Sequence, residues 1–197
     1  AYGAAVTGYS GTTPALEFSS MTNLTSVSLT GFFRDLTFTG LPNLTSIDID
    51  ATFEDLKVYN SDGLTSVDVT GSEFGNVWVE GNDALTALDL DHTSDTNFYG
   101  TTADRTYLTY KVTDNDELLS LTTSSDKYMT FNVTSNAKLA TVNFTGVATF
   151  GTATSTVNPT VDVYSNALVA SLASDTDDGL TQYAVDGTND ASDLGSF

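Results

Sequence analysis

Leu44-Thr45-Ser46-Ile47-Asp48-Ile49 decides the fold, because this stretch returns along the chain at a fixed interval. It is preceded by Leu24-Thr-Ser-Val-Ser-Leu29 and followed by Leu64-Thr-Ser-Val-Asp-Val69 and Leu85-Thr-Ala-Leu-Asp-Leu90, with starts 20, 20 and 21 residues apart. Looser copies, Leu118-Leu-Ser-Leu-Thr-Thr123, Leu139-Ala-Thr-Val-Asn-Phe144 and Leu168-Val-Ala-Ser-Leu172, start after 33, 21 and 29 residues. The long intervals read as the same unit carrying insertions, near 93–106 and 149–160. Self-similarity at so short a period is the mark of a stacked repeat, in which each unit buries its apolar face only against its neighbours.

A second alternating segment precedes each copy: Leu36-Thr-Phe-Thr39, Leu56-Lys-Val-Tyr59, Val77-Trp-Val-Glu80, Tyr110-Lys-Val-Thr113, Phe131-Asn-Val-Thr134 and Val161-Asp-Val-Tyr164. Apolar and polar residues take turns, as in a strand with one buried face. Turn formers separate the two segments: Gly40-Leu-Pro-Asn43, Asn60-Ser-Asp-Gly63, Gly81-Asn-Asp83, Asp114-Asn-Asp116, Ser135-Asn136 and Ser165-Asn166. Such side chains bond nearby backbone and tolerate the left-handed conformation of a sharp corner. Helical spacing of apolar residues is scarce, while β-branched Thr and Val abound.

These features predict an all-β, right-handed parallel β-solenoid of seven to eight coils of 20–21 residues with almost no helix. Residues 1–14 are expected to be an N-terminal cap or leader, 15–172 the repeats, and 173–197 a closing coil or cap, all in one domain. Equivalent positions stack about 4.8 Å apart. The inward columns are then Leu24, Leu44, Leu64, Leu85, Leu118 and Leu139, with Val27, Ile47, Val67, Leu88, Leu121 and Val142 beside them. Phe33, Phe53 and Phe74 form a third column at the return side.

The string Val-x-Val-x-x-Asn-x-x-Leu-Thr-Ser-Leu-Asp-Leu, approximated by Val58 to Val69 and Val79 to Leu90, resembles leucine-rich repeats, most closely the receptor L-domain variety. The Leu-Thr-Ser runs are similar to those of bacterial surface proteins with such repeats. The resemblance covers about residues 15–172 and is strongest over 24–91. The Asn that follows the strand in ordinary leucine-rich repeats is replaced here by Gly31, Thr52, Ser72 and Thr93. Asn instead precedes the Leu, at Asn23, Asn43, Asn82, Asn115 and Asn136, which favours a straighter solenoid over a horseshoe. The resemblance implies binding of proteins or glycans, or a structural role, without catalysis.

Composition narrows the partners. With 6 Lys+Arg against 26 Asp+Glu the formal charge is -20, so nucleic acid and anionic membrane surfaces are disfavoured. The absence of Cys removes disulfides, thiolate metal sites and thiol nucleophiles. His92 is the single His, and although Asp89, Asp91 and Ser94 lie near it in sequence, neighbours on a strand point to opposite faces and no nucleophile elbow is present. No apolar run approaches the ~18–20 residues of a membrane span, so a soluble protein is expected. The abundance of Thr, Ser, Asn and Asp points to an extracellular or cell-surface setting.

Two outward columns are candidate sites. Asp48, Asp68 and Asp89 stack on successive coils, which reads either as a Ca²⁺ site built from oxygen ligands or as a solvated acidic face that keeps the array from associating. The opposite strand carries Lys57, Trp78 and Lys111 in one column, with Tyr59 and Glu80 alongside. Exposed aromatics among polar groups are a common grip for sugars and proteins, and this face is the expected ligand-binding site. Its competing reading is a ring covered by the insertion near 93–106. Asn-x-Ser/Thr sequons at Asn23, Asn43, Asn132 and Asn143 come largely from the repeat itself. The expected function is non-catalytic recognition or adhesion, with a structural subunit of a surface filament, envelope or virion, possessing self-complementary ends, as the alternative. A polysaccharide-active β-helix enzyme is the second alternative, though no pair of the many acids stands out for it.

Overall fold

Each alternating segment lies on a strand, each described copy of the Leu-Thr-Ser motif runs into one, and all strand pairs are parallel. The computed structural model describes residues 2–7, 15–90, 107–123, 128–144, 161–164, 171–174 and 183–185. One face stacks β1 (Tyr2–Thr7), β3 (Leu24–Phe32), the first half of β5 (Ser46–Tyr59), β6 (Ser66–Asp68), β8 (Ala87–Leu90), β10 (Ser120–Thr123), β12 (Thr141–Phe144) and β14 (Ser171–Ser174). The other stacks β2 (Leu16–Ser19), β4 (Asp35–Thr39), the second half of β5, β7 (Glu73–Glu80), β9 (Tyr107–Thr113), β11 (Tyr128–Thr134), β13 (Val161–Tyr164) and β15 (Tyr183–Val185). The molecule is a parallel β-solenoid, and no helix occurs among the described residues.

The expected count of seven to eight coils is corrected to about five turns. A turn is complete when the chain returns to the same corner leucine, and from Leu24 to Leu139 those leucines are all buried. Beyond them, β13, β14 and β15 are in-register strands whose corners fall outside the described residues. Counting every motif copy as a closed coil therefore overestimated the number.

The core follows the alternation. Leu44, Leu64, Leu85, Leu118 and Leu139 are fully enclosed, as are Leu36, Leu56 and Val77 on the other face. Each such side chain contributes roughly 1.5–3 kcal/mol on burial. Aromatic rings stack from coil to coil, Phe18 on Phe38 and Phe53 on Phe74, both at 5.1 Å between centroids. Tilted ring contacts, not stacks, follow from Phe74 to Tyr110 and from Tyr110 to Phe131.

The corner between the faces explains the period. Ser20, Gly40, Asn60, Gly81, Asp114 and Ser135 all take left-handed φ values from 49° to 68°. Gly and Asn accept that region at little cost, and Asp and Ser reach it with local polar support. Four residues later each Leu amide donates to the carbonyl three residues back, closing a turn of 2.8–3.2 Å, as in Leu64 to Ser61 and Leu85 to Asn82. Gly63 lies so close to the coil before it that a Cβ there would meet the Pro42 carbonyl oxygen at 2.6 Å.

Inside this corner runs a ladder that the sequence only half reveals. Asn82, Asn115 and Asn136 are completely buried. Asn82 Nδ2 donates to Asn115 Oδ1 at 3.2 Å, and Asn115 Nδ2 to Asn136 Oδ1 at 3.1 Å. Each amide oxygen also accepts the backbone N–H of the coil before it, from Ser61, Asn82 and Asn115, all at 3.1 Å. Each amide nitrogen donates to carbonyls such as Val58, Val79 and Val112. Asn23 and Asn43 belong to a different column, exposed at the corner tip, where Asn43 Nδ2 donates to the Thr22 carbonyl. The Asn residues before the Leu are thus two sets with different work.

The return corner absorbs the one 21-residue interval among the early copies. Asp48 pairs with Asp68, 20 residues on, but Thr52 pairs with Glu73, 21 residues on, so the extra residue lies between. Ser72 occupies this place, buried, its hydroxyl donating to the Ile49 carbonyl at 2.7 Å and accepting the Ala51 amide at 3.2 Å. Gly71, at φ 85°, turns the chain into it. Phe53 and Phe74 therefore stay in register despite the insertion.

Candidate recognition face

The face built from β4, β5, β7, β9 and β11 carries the residues singled out for binding. Register places Thr37 beside Lys57, Lys57 beside Trp78, Trp78 beside Lys111, and Lys111 beside Asn132. Spacings of 21 and 33 residues in sequence thus become neighbouring strands in space. Tyr59 pairs with Glu80, and Glu80 with Thr113, in the adjacent column. All five expected residues, Lys57, Tyr59, Trp78, Glu80 and Lys111, share one face.

Trp78 is half-buried rather than fully exposed. Part of the reason is Lys57, whose ammonium sits 5.0 Å from the centre of the indole ring. A cation over an aromatic face is worth about 0.5–1 kcal/mol at an exposed site and fixes the ring's orientation. The insertion around 93–106, expected as a cover for the ring, lies outside the described residues.

The lysines are each paired within the face. Lys57 Nζ lies 3.3 Å from Asp55 Oδ2, and Lys111 Nζ 2.8 Å from Glu80 Oε2. Asp55 is held in turn by Asn76, whose amide donates to Oδ1 at 2.9 Å, while Asn76 Oδ1 accepts the Thr109 backbone amide at 2.9 Å. Asp55 and Asn76 were not among the residues expected here. The signal was present, since the same alternation extends two residues upstream of Lys57 and Trp78. Partial burial pushes the Tyr59 hydroxyl above its ordinary pKa, Lys57 opposing and Glu80 reinforcing, so it remains a neutral donor at physiological pH.

The acidic column behaves differently. Ser28, Asp48, Asp68, Asp89 and Thr122 are in register on successive strands of the opposite face, and the three carboxylates are exposed. Hydrogen bonds from the Thr70 hydroxyl and its backbone amide, the latter at 2.9 Å, hold the Asp68 carboxyl below its usual range. Among the described residues no group of three or more His, Cys, Asp or Glu is arranged to hold a metal ion. His92, Asp91 and Ser94 lie outside the described residues.

Two of the four sequons are placed at exposed corner tips, at Asn23 and Asn43. Asn132 is half-buried in the Lys57–Trp78–Lys111 column, with its amide oxygen enclosed and unpartnered. Comparison with protein-family models, with curated proteins and with solved structures finds no match.

Proposed function

We infer that the protein is a non-catalytic recognition or adhesion module, a β-solenoid of leucine-rich-repeat type that works outside the cell or at its surface. Its binding face is the column Lys57, Trp78 and Lys111 with Tyr59 and Glu80. The observation that supports this most is the single Trp of the chain, placed beneath a cation at an outward strand position whose column holds Thr37 and Asn132 on other coils. Aromatic rings held rigidly in a polar surround supply contact area at small entropic cost.

A binding role without chemistry is supported by how the carboxylates of this face are used. Asp55 holds Lys57 and Asn76, and Glu80 holds Lys111, so both serve the rigidity of the surface. The test is a glycan and cell-surface binding screen of the intact protein beside Trp78→Ala. Binding by the wild type that drops about tenfold or more in the variant supports the reading. Binding that the substitution leaves unchanged refutes the assigned face.

A further inference from the structure

We propose that the ligand of the Trp78 face is an uncharged polysaccharide, with one sugar ring packed against the exposed part of the indole and its neighbours lying along successive strands. This rests on the recognition reading above and adds the chemical class of the ligand.

Three observations on the face lead there. The first is its charge. The chain as a whole is strongly acidic, yet on this face Lys57 and Lys111 meet Asp55 and Glu80 in pairs at 3.3 and 2.8 Å. An anionic ligand would approach an acidic protein and find both ammonium groups already engaged. A cationic ligand would find both carboxylates engaged. An uncharged ligand meets a surface compensated beside Trp78 and loses nothing to long-range repulsion.

The second is the distribution of apolar area. A protein interface needs a core of several aromatic or aliphatic side chains that together exclude water. Among the described residues the outward positions around Trp78 are instead Thr37, Lys57, Lys111, Tyr59 and Glu80, so the indole is an apolar island among side chains that all carry a hydrogen-bonding group. A pyranose has the complementary make-up, an apolar C–H face with hydroxyls around its rim. Its hydroxyls donate and accept at once, and the Lys111–Glu80 pair offers a donor and an acceptor 2.8 Å apart.

The third is periodicity. Parallel strands repeat every ~4.8 Å, and an extended β-linked pyranoside chain advances by a similar length per sugar. A chain along the solenoid axis therefore meets polar groups at each step: Thr37 and Thr39, then Lys57 and Tyr59, then Trp78 and Glu80, then Lys111. A globular ligand would gain nothing from this repetition.

The experiment uses the whole chain. Native gel electrophoresis is run through gels containing xyloglucan, β-mannan or mixed-linkage β-glucan as uncharged probes, polygalacturonate as the anionic one and chitosan as the cationic one. Wild type is compared with Trp78→Ala, with Trp78→Phe, which keeps an aromatic ring, and with Asp48→Asn on the opposite face; circular dichroism confirms that each folds. Trp emission of the wild type is followed on adding the same probes at low and high salt. The expected result is retardation by at least one uncharged glycan, weakened about tenfold or more in Trp78→Ala. Retardation is largely retained in Trp78→Phe and unchanged in Asp48→Asn, and the shift in emission is insensitive to salt. Retardation by polygalacturonate or chitosan alone, still dependent on Trp78, overturns the uncharged class and leaves the recognition face standing. Retardation that ignores Trp78 overturns both. If no probe retards the wild type, the polysaccharide proposal is wrong, and the cell-surface screen above decides the face separately.

Discussion

Asn115 stands at the centre of the buried ladder, so Asn115→Ala tests the feature that sets the corner. Its amide oxygen accepts the Asn82 backbone N–H at 3.1 Å and the Asn82 side chain at 3.2 Å. Its nitrogen donates to the carbonyls of Val79 at 3.1 Å and Thr113 at 2.9 Å, and to Asn136 Oδ1 at 3.1 Å. Removing the side chain leaves the Asn82 N–H without its partner in a fully buried site, and breaks the Asn–Asn bonds on both sides. An unmet buried group costs about 1–3 kcal/mol, and a net hydrogen bond about 0.5–1.5 kcal/mol. The expected loss is about 2–4 kcal/mol, a large share of the ~5–15 kcal/mol available to an ordinary domain. Because each coil contacts only its neighbours, the damage falls on the coils joined at Asn82, Asn115 and Asn136. Urea unfolding followed by circular dichroism and by Trp78 emission measures it, with Asn43→Ala as reference. Asn43 is exposed and makes one bond, to the Thr22 carbonyl, so its loss is expected within about 0.5 kcal/mol. If Asn115→Ala shifts the urea midpoint no more than Asn43→Ala, the ladder does not hold the corner.

Other expectations follow from single sites. Thr123 sits at an inward position equivalent to Leu29, Ile49, Val69 and Leu90, and its enclosed hydroxyl has no partner; Thr123→Val keeps the shape and is expected to stabilise by up to about 1 kcal/mol in urea unfolding. Phe53→Ala removes a fully buried ring stacked on Phe74 and is expected to cost about 3–5 kcal/mol, read from the shift in the denaturation midpoint. Burial, with the carboxylates of Asp62, Asp116 and Asp114 adding to it, raises the Asp83 carboxyl above its ordinary 3.8. The folded state therefore binds this proton more tightly than the unfolded chain, and stability falls as pH rises from 3.8 through the raised value. Asp83→Asn is expected to lack that part of the decline and to be the more stable form at neutral pH, which urea midpoints across the acid range would reveal. Asp68 carries the opposite sign: its lowered carboxyl contributes stability above 3.8 that is lost as pH falls through the folded value, so Thr70→Val should flatten that part of the acid limb.

The parts of this structure that were legible in sequence are those set by alternation. Because side chains on a strand change face at every residue, Ile47 and Ile49 had to point inward and Asp48 outward once the period was known. The same rule put Lys57, Trp78 and Lys111 in one column, although the last pair is 33 residues apart. Alternation does not describe corners, where backbone dihedrals and local hydrogen bonds decide. Hence Asn43 and Asn82 looked equivalent, both lying shortly before a Leu, yet one is an exposed tip and the other a buried rung. A tighter alignment on the left-handed residue four places before each Leu would have separated them. Coil number was overestimated for a related reason, since motif copies record strands and not closed corners. Whether Trp78 would be open or covered was left undecided by the sequence, because its half-burial depends in part on where the Lys57 side chain lies and not on which face it shares.

The proposed recognition face stands or falls on Lys57, Trp78 and Lys111 occupying consecutive strands in register, and a chain without Cys allows this to be measured cleanly. In-register neighbours on parallel strands lie ~4.8 Å apart, inside the ~4.4–6.8 Å between Cα atoms that a disulfide spans, whereas Lys57 and Lys111 are separated by twice that spacing. Paired substitutions to Cys at positions 57 and 78, and at 78 and 111, should crosslink under mild oxidation, as read by intact mass and non-reducing electrophoresis. The pair at 57 and 111 should remain reduced. Efficient crosslinking of 57 to 111, or failure of both neighbouring pairs in folded protein, would contradict the register and with it the face.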